Sequence, residues 1–264
     1  MSLNFTLYAA LALYAAGTLV AFGSLLVHEK RIQHVALALM VTGFVSHTIW
    51  IGSICVRTGH PPLTNLPEAA AFISWTIFAV ELGLFIRYRV HAASFFVYPL
   101  VLIVLTIAAI VREPFVRLDP SIRSSLLMTH VFLSTVGVAA LLVALSFTLL
   151  AWVQDHSLKS KQRGPLWEWI PSLSVCKTVS YRALVIGFSI YTLGLLAGIV
   201  WSYRTTAELI SPGLKQVGAS IAWVLLAALL QSVISGAYRT RRTMFLSAGA
   251  FIAILVAILG IPHV

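Results

Sequence analysis

The sequence predicts an all-α membrane protein, a polytopic bundle of about eight transmembrane helices with both termini on the extracytoplasmic side. Its 264 residues are 59% hydrophobic and only 10% charged, whereas a soluble domain carries about 25% charged residues. The hydrophobic residues form runs long enough to cross a bilayer. The basic residues lie in the short gaps between these runs. This composition excludes a soluble enzyme, a disordered regulator and a secreted disulfide scaffold.

Each apolar run predicts one transmembrane helix, because a bilayer core about 30 Å thick needs roughly 20 helical residues. Lipid offers the backbone no hydrogen-bond partner, so segments of this kind must be helical. The first run is too long for a secretory signal peptide and lacks a small-residue cleavage site, so we expect it to be retained. We expect a single domain over residues 1–264. The runs cover approximately 4–26, 33–56, 67–86, 92–111, 125–153, 179–202, 217–238 and 243–260.

The distribution of Lys and Arg predicts the orientation of the helices. One set of alternate gaps holds twelve of the 18 basic residues, and by the positive-inside rule this set faces the cytoplasm. Both termini then lie outside, as in a multi-pass protein of a cell inner (plasma) membrane. The net charge of +10 reflects this orientation, and no nucleic-acid partner is expected. The gap at 164–180, with Trp167 and Trp169, is expected to be a cytoplasmic link at the interface.

His47 is the first candidate for function, because a polar side chain inside lipid is costly. It lies in the second run. Gly43, four residues earlier, and Trp50, three residues later, share its helical face. The glycine leaves room beside the imidazole, and the indole can stack on a bound group. A His47 hydrogen-bonded to a neighbouring helix is an equally good interpretation.

Two further histidines lie toward the predicted outer face. His130 begins the fifth run, and Ser134 follows one turn later, where its hydroxyl can orient the ring. A solvated interfacial imidazole is the alternative. His60 lies in a loop that Pro61 and Pro62 prevent from forming a regular helix. It is a candidate ligand, although a solvated position is the favoured interpretation.

Other polar and small residues have structural interpretations. Asn65 is predicted to cap the third helix, and Glu68 falls in its first turn, where the helix dipole favours an acid. Glu81 is expected to reach the cytoplasmic surface rather than to relay protons. One side of the sixth helix is a strip of small residues, for which packing against another helix is favoured over a flat ligand. The strip consists of Gly187, Gly194 and Gly198.

Several absences bear on function. The chain has no Cys-x-x-Cys-His sequence, P-loop, nucleophile elbow or paired intramembrane carboxylates. Cys55 and Cys176 fall at opposite predicted membrane faces, so they cannot form a disulfide within one chain. We therefore expect no enzymatic activity.

Four stretches, in this order, resemble the cytochrome c assembly family of membrane proteins, which includes CcsA, CcmC and the HemX-like proteins. The resemblance covers about 34–259. The first stretch is the helix with His47, followed by RTGHPPLTNLPEAAAFISW. The second is MTHVFLSTVGVAALLVALSFTLLAWVQDHSLK, and the third is SYRALVIGFSIYTLGLLAGIVWS. The last is a Trp-bearing helix, a basic turn and a final apolar helix.

The resemblance implies a protein that handles heme, which many members hold at the outer membrane face for attachment to apocytochrome c. His47 matches the family's intramembrane heme-contacting histidine, and His130 matches an outer-face histidine that ligates the iron. Two imidazoles can hold iron axially. The implied cofactor is heme b. The implied partners are lipid, heme and other assembly subunits or an apocytochrome. Further candidates for the heme site are His60, Trp50 and Trp201, with Arg57, Arg123 or Arg204 for the propionates.

The sequence also departs from the heme-lyase members. The tryptophan-rich loop that they carry after the sixth helix is absent beyond Trp201. Gln231 stands where they place a second outer histidine, eight residues after Trp223. The leading interpretation is a heme-handling membrane protein without chemistry of its own. The alternative is a non-catalytic accessory or regulatory subunit, HemX-like and linked to heme biosynthesis, that kept the fold without heme. A small-molecule transporter has less support, because neither inverted repeats nor broken helices are evident.

Overall fold

The computed structural model describes residues 3–27, 29–63, 65–88, 94–111, 125–160, 170–206, 214–235 and 240–259. All regular structure within these ranges is helical, and the eight helices correspond in order to the eight predicted runs. They are α1 (Leu3–Val27), α2 (Lys30–Thr58), α3 (Leu66–Tyr88), α4 (Ser94–Ile110), α5 (Ser125–Ser160), α6 (Leu173–Thr206), α7 (Leu214–Ile234) and α8 (Thr240–Leu259).

Six of the described helices, α1, α2, α3, α5, α6 and α7, are long and apolar enough to cross a membrane. Helix α4 is a shorter apolar helix of 17 residues. The predicted all-helical membrane fold is therefore confirmed. The orientation of the termini stays a prediction.

The structure revises the boundaries of α5 and α6. Helix α5 continues to Ser160, beyond the apolar run, and its polar end carries an ion pair between Lys159 and Asp155 with an N–O distance of 2.7 Å. Helix α6 begins at Leu173, so the expected link at 164–180 is partly helical. Polar turns extend both helices because a helix need not end where the apolar run ends. Trp167 and Trp169 lie outside the described residues.

Helices α1–α4 belong to one compact unit. Gly17 of α1 lets this helix approach α2, because a Cβ at this position would lie 2.9 Å from the Met40 side chain. Helix α3 is tied to α2 by the indole N–H of Trp75, which donates to Thr48 Oγ1 at 2.8 Å. It is tied to α4 by Ser74, whose hydroxyl donates to the Val101 carbonyl at 2.9 Å.

Helices α5–α8 belong to a second compact unit. Its α5–α6 pair is closely packed, since a Cβ at Gly137 would lie 2.7 Å from the backbone nitrogen of Tyr191. Helix α7 is held to α6 by the indole N–H of Trp223, which donates to Thr192 Oγ1 at 3.0 Å. The prediction of one domain over the whole chain stays a prediction.

Candidate functional site

His47 is completely buried in the α1–α4 unit. Among the described residues neither of its ring nitrogens has a hydrogen-bond partner, which contradicts the interpretation of an imidazole bonded to a neighbouring helix. Trp50 is buried beside it, and the two ring centroids are 6.1 Å apart, as expected for residues on one helical face. His47 is therefore a desolvated imidazole with its polar atoms unsatisfied, which is unusual unless the residue has a functional role.

Tyr14 of α1 fills the space that Gly43 leaves beside His47. A Cβ at Gly43 would lie 2.8 Å from the Tyr14 ring, so only glycine admits the phenol at this position. The Tyr14 and His47 rings meet edge to face with centroids 6.0 Å apart. The predicted open space next to the imidazole is thus occupied by a side chain. Tyr14 was not predictable from the sequence, because it lies on another helix and resembles any aromatic residue in an apolar run.

Aromatic rings enclose this part of the unit. Phe44 stacks on Trp75 with ring centroids 5.2 Å apart, and it contacts Phe78 at 5.4 Å. Phe78 in turn contacts Tyr14 at 5.8 Å and Tyr98 at 6.1 Å. His47 therefore lies in an interior that excludes solvent and that is rich in flat rings.

His60 is buried, with 5% of its surface exposed, so the expectation of a solvated histidine is wrong. Gly59 ends α2 with a positive φ of 73° and turns the chain back on itself. This turn is held by Thr58, whose hydroxyl donates to the His60 carbonyl at 3.0 Å. His60 Nδ1 lies 2.9 Å from the carbonyl of Pro61. The imidazole thus helps to fold the loop locally.

The predicted start of the third helix is confirmed. The backbone N–H of Glu68 donates to Asn65 Oδ1 at 2.9 Å, which is the geometry of an N-cap. The Asn65 amide donates in return to Glu68 Oε1 at 3.4 Å. Glu68 is fully buried. Asn65 and Glu68 together therefore cap the N-terminus of α3.

His130, in the α5–α8 unit, is partly buried and hydrogen-bonded across helices. Its Nδ1 lies 2.7 Å from the carbonyl oxygen of Gly194. Because a carbonyl can only accept, Nδ1 carries the proton, and the lone pair of the ring lies on Nε2. Ser134 Oγ is 3.5 Å from Nδ1, so its contact with the ring is weaker than that of the Gly194 carbonyl. The ring is oriented chiefly by the Gly194 carbonyl, a partner on another helix that the sequence does not reveal.

The glycine strip of α6 packs against α5, as predicted. A Cβ added at Gly187 would lie 3.0 Å from Leu141. A Cβ added at Gly194 would lie 2.6 Å from Ser134 Oγ. At Gly198 the Cβ would lie 2.5 Å from Cε1 of His130. The imidazole of His130 therefore packs directly against Gly198 at the end of the strip.

The other candidates differ in how the structure places them. Trp201 is partly buried and lies one turn beyond Gly198 on α6. Arg57 and Arg204 are exposed, near the ends of α2 and α6, and Arg123 lies outside the described residues. Gln231 is exposed on α7. The two candidate iron ligands belong to different units, so the prediction that His47 and His130 serve one heme stays a prediction.

Glu81 does not reach the surface as predicted. It is 4% exposed, and its buried Oε2 forms no hydrogen bond within the part of the chain that the structure describes. Phe78, three residues earlier on the same face, packs among the interior rings of the α1–α4 unit. Glu81 therefore points into this interior. Its nearness to Arg87 in the sequence favoured the wrong interpretation.

Comparison with known proteins agrees with the resemblance. CcsA, a cytochrome c biogenesis protein, of Guillardia theta is 25% identical over 251 residues, covering 88% of this chain and 83% of that protein. The protein of the same name from Prochlorococcus marinus (strain MIT 9301) is 29% identical over 227 residues, covering 77% of this chain and 74% of that one. Protein HemX of Brevibacillus brevis is 25% identical over 180 residues, covering 68% and 66% respectively.

A solved structure shares the fold. The cytochrome c heme lyase CcmF matches 97% of this chain with a TM-score of 0.75 and 16% sequence identity. The chain spans only 46% of the length of that protein. The family model described as cytochrome c assembly protein matches residues 63–263, which include His130, Gly194 and Gly198 but not His47. Since this match covers most of the sequence, the chain belongs to the cytochrome c assembly protein family.

Proposed function

We propose that this protein handles heme in cytochrome c assembly, as a multi-pass protein of the cell inner membrane with both termini outside. It binds heme b near the outer face and presents or passes it to a partner. It carries out no bond-making chemistry of its own, and its contribution is to position the ligand. The proposed partners are other assembly subunits or an apocytochrome.

The observation that carries this proposal is the geometry of His130. Metal-ligating histidines usually donate the N–H of one ring nitrogen to a carbonyl or carboxylate, which fixes the tautomer and directs the other nitrogen to the metal. The bond between His130 Nδ1 and the Gly194 carbonyl has this form. A second support is that the ring rests on Gly198, which limits its motion. His130 would thus be the residue that holds the heme iron, through Nε2.

His47 fits the same cofactor chemically, because its two buried nitrogens have no partner within the described structure. Trp50 offers an aromatic face beside it. The exposed Arg57 and Arg204 are the described candidates for the heme propionates. When bound, heme supplies the iron–porphyrin unit that is delivered. His130 would be the residue of the α5–α8 unit that holds the iron, His47 would be the candidate of the α1–α4 unit, and exposed basic side chains would contact the propionates.

The test is an absorption spectrum of the detergent-purified protein in both redox states, before and after heme is added. We expect a Soret band typical of imidazole ligation, and heme affinity weaker by about tenfold or more in His130→Ala and His47→Ala. The matched control is His156→Ala, since His156 is an exposed histidine of α5. This variant should bind heme as the natural protein does. A protein without a Soret band after heme addition would refute the proposal.

The accessory-subunit alternative is favoured by one observation. Gln231, which is exposed on α7, stands where the resemblance to the heme-lyase members places a second outer-face histidine. On this alternative, His130 is a packing residue that bonds α5 to α6. It predicts that neither histidine substitution changes the absorption spectrum and that a stable partner co-purifies with the protein.

A further inference from the structure

We propose that the Tyr14 side chain is the gate of the His47 site. Its ring closes the space beside the imidazole, and a ligand reaches His47 only after this ring has turned away. The ligand concerned is the heme of the proposed function, and to that extent the inference rests on that function. The closure itself can be tested without heme.

The interior around His47 is closed. The side chains of His47, Tyr14 and Phe78 are completely buried, and Trp50 is 2% exposed. The Tyr14 ring meets His47 edge to face with centroids 6.0 Å apart, and it meets Phe78 of α3 at 5.8 Å. From α1, this ring therefore covers the imidazole. A planar ligand as large as a porphyrin has no room beside His47 while the ring stays in this place.

Gly43 provides the seat for the ring. A Cβ added at Gly43 would lie 2.8 Å from Cδ1 and 2.9 Å from Cε1 of Tyr14. A larger residue would push the ring out of its place, because side chains in a close contact have to shift when the contact is overpacked. The seat is thus a notch in the surface of α2, one turn before His47.

The closed arrangement leaves polar atoms without hydrogen bonds. In the part of the chain that the structure describes, the Tyr14 hydroxyl has no partner, and the same holds for both ring nitrogens of His47. A buried polar atom without a partner costs free energy, which is recovered when the atom meets water or a ligand. The closed state is therefore weakened by its own polar atoms, as expected for a side chain that has to move.

The helices that frame the gate are joined on both sides of it. Toward the start of α1, the Ser46 hydroxyl donates to the Thr6 carbonyl at 2.9 Å. Beyond Tyr14, the Gln33 amide donates to the Ala21 carbonyl at 3.2 Å. Both bonds hold α1 to α2 on either side of the ring. Opening is therefore a rotation of the Tyr14 side chain to another rotamer and not a separation of the two helices.

A gate of this kind limits every reaction of His47 to the fraction of molecules in which it is open. Minor conformations in equilibrium with a major one are typically populated to about 0.1–10%. The rate of any reaction at the imidazole scales with this fraction. The reactivity of His47 therefore measures the position of the gate.

The experiment is modification of the whole chain in detergent, without heme, by diethyl pyrocarbonate, which reacts with accessible imidazoles and is detected by mass spectrometry. We expect His47 to react slowly and the exposed His156 rapidly. Tyr14→Phe keeps the ring and removes the unsatisfied hydroxyl. The closed state gains stability, so His47 should react about fivefold more slowly. Tyr8→Phe, at an exposed tyrosine of the same helix, should leave the rate unchanged.

Gly43→Ala tests the notch. The added methyl group pushes the Tyr14 ring away, so His47 should react faster by about tenfold or more. The control is Gly52→Ala on the same helix, where nothing lies within 4 Å of an added Cβ. This variant should react as the natural protein does.

Size-exclusion chromatography verifies that each variant is folded, and if Gly43→Ala is not, the Tyr14→Phe comparison decides. Three results would overturn the gate. His47 could prove unreactive in the folded natural protein, it could react as fast as His156, or its rate could be the same in the natural protein and in Tyr14→Phe.

Stopped-flow absorption then measures heme association with the same variants. Association should be slower in Tyr14→Phe and faster in Gly43→Ala, and both changes should vanish when His47→Ala is combined with them. Unchanged association in variants whose His47 reactivity does change would refute the gate for heme. If no variant binds heme, the proposed function fails, whereas the modification rates still decide whether Tyr14 closes the site.

Discussion

The imidazole of His130 occupies the space that a side chain would fill at Gly198. A Cβ added there would lie 2.5 Å from Cε1 and 2.6 Å from Nδ1 of the ring. The same ring bonds to the Gly194 carbonyl at 2.7 Å. A glycine strip that ordinarily only brings two helices together therefore also seats a candidate iron ligand.

Gly198→Ala should displace the imidazole and destabilise the α5–α6 pair. We expect a loss of about 1–3 kcal/mol, the usual cost of overpacking a close contact, together with weaker heme binding. The control is Gly249→Ala, where the nearest atom to the added Cβ is 3.7 Å away. This variant should lose no stability. Denaturant unfolding in detergent measures both variants, and equal stability of the two would contradict the packing described here.

The bond between Trp75 and Thr48 should couple α3 to α2. Trp75→Phe and Thr48→Val each remove one partner of the 2.8 Å hydrogen bond. A double-mutant cycle should give a coupling free energy of about 0.6 kcal/mol, with an upper range of about 1.7 kcal/mol, as for other interhelical hydrogen bonds in membranes. Additive effects of the two substitutions would show that this bond does not contribute to stability.

Asn65→Ala should destabilise the start of α3. The loss should be about 0.5–2 kcal/mol, because the Glu68 N–H loses its acceptor. Asn65→Ser, which restores a capping oxygen, should recover most of this loss. Thr42→Ala serves as the control, since the Thr42 hydroxyl bonds only within its own exposed helical turn. A thermal melt in detergent compares the three variants, and a serine variant no better than the alanine one would argue against capping.

Thiol labelling should settle the orientation of the helices. Neither Cys55 nor Cys176 forms a disulfide in the described structure, so both can be replaced by alanine before single cysteines are introduced. Ser160 and Thr205 are exposed near the ends of α5 and α6. From the excess of basic residues in one set of gaps, we expect Thr205→Cys to react with an impermeant maleimide in intact cells. Ser160→Cys should react only after permeabilisation. The reverse pattern would invert the predicted topology.

Glu68 and Glu81 lie on the same helix, but only the position of Glu68 could be predicted from the sequence. The cap formed by Asn65 and Glu68 was predictable, because its partners lie three residues apart and their types suit a helix start. The burial of Glu81 was not predictable from the sequence. Its nearness to the chain's basic residues suggested the surface, whereas the face of α3 that carries it packs among the interior rings.

The amino-acid sequence by itself determined the number, order and approximate limits of the helices, because lipid leaves each apolar run no alternative to internal backbone hydrogen bonding. Only the tertiary structure decided which faces of these helices point inward, since a helix that is apolar all round shows no stripe that marks its buried side. It paired His130 with a carbonyl 64 residues away and placed Tyr14 against His47. Contacts of this kind depend on the shapes of two helices together, and a single run of residues does not contain them.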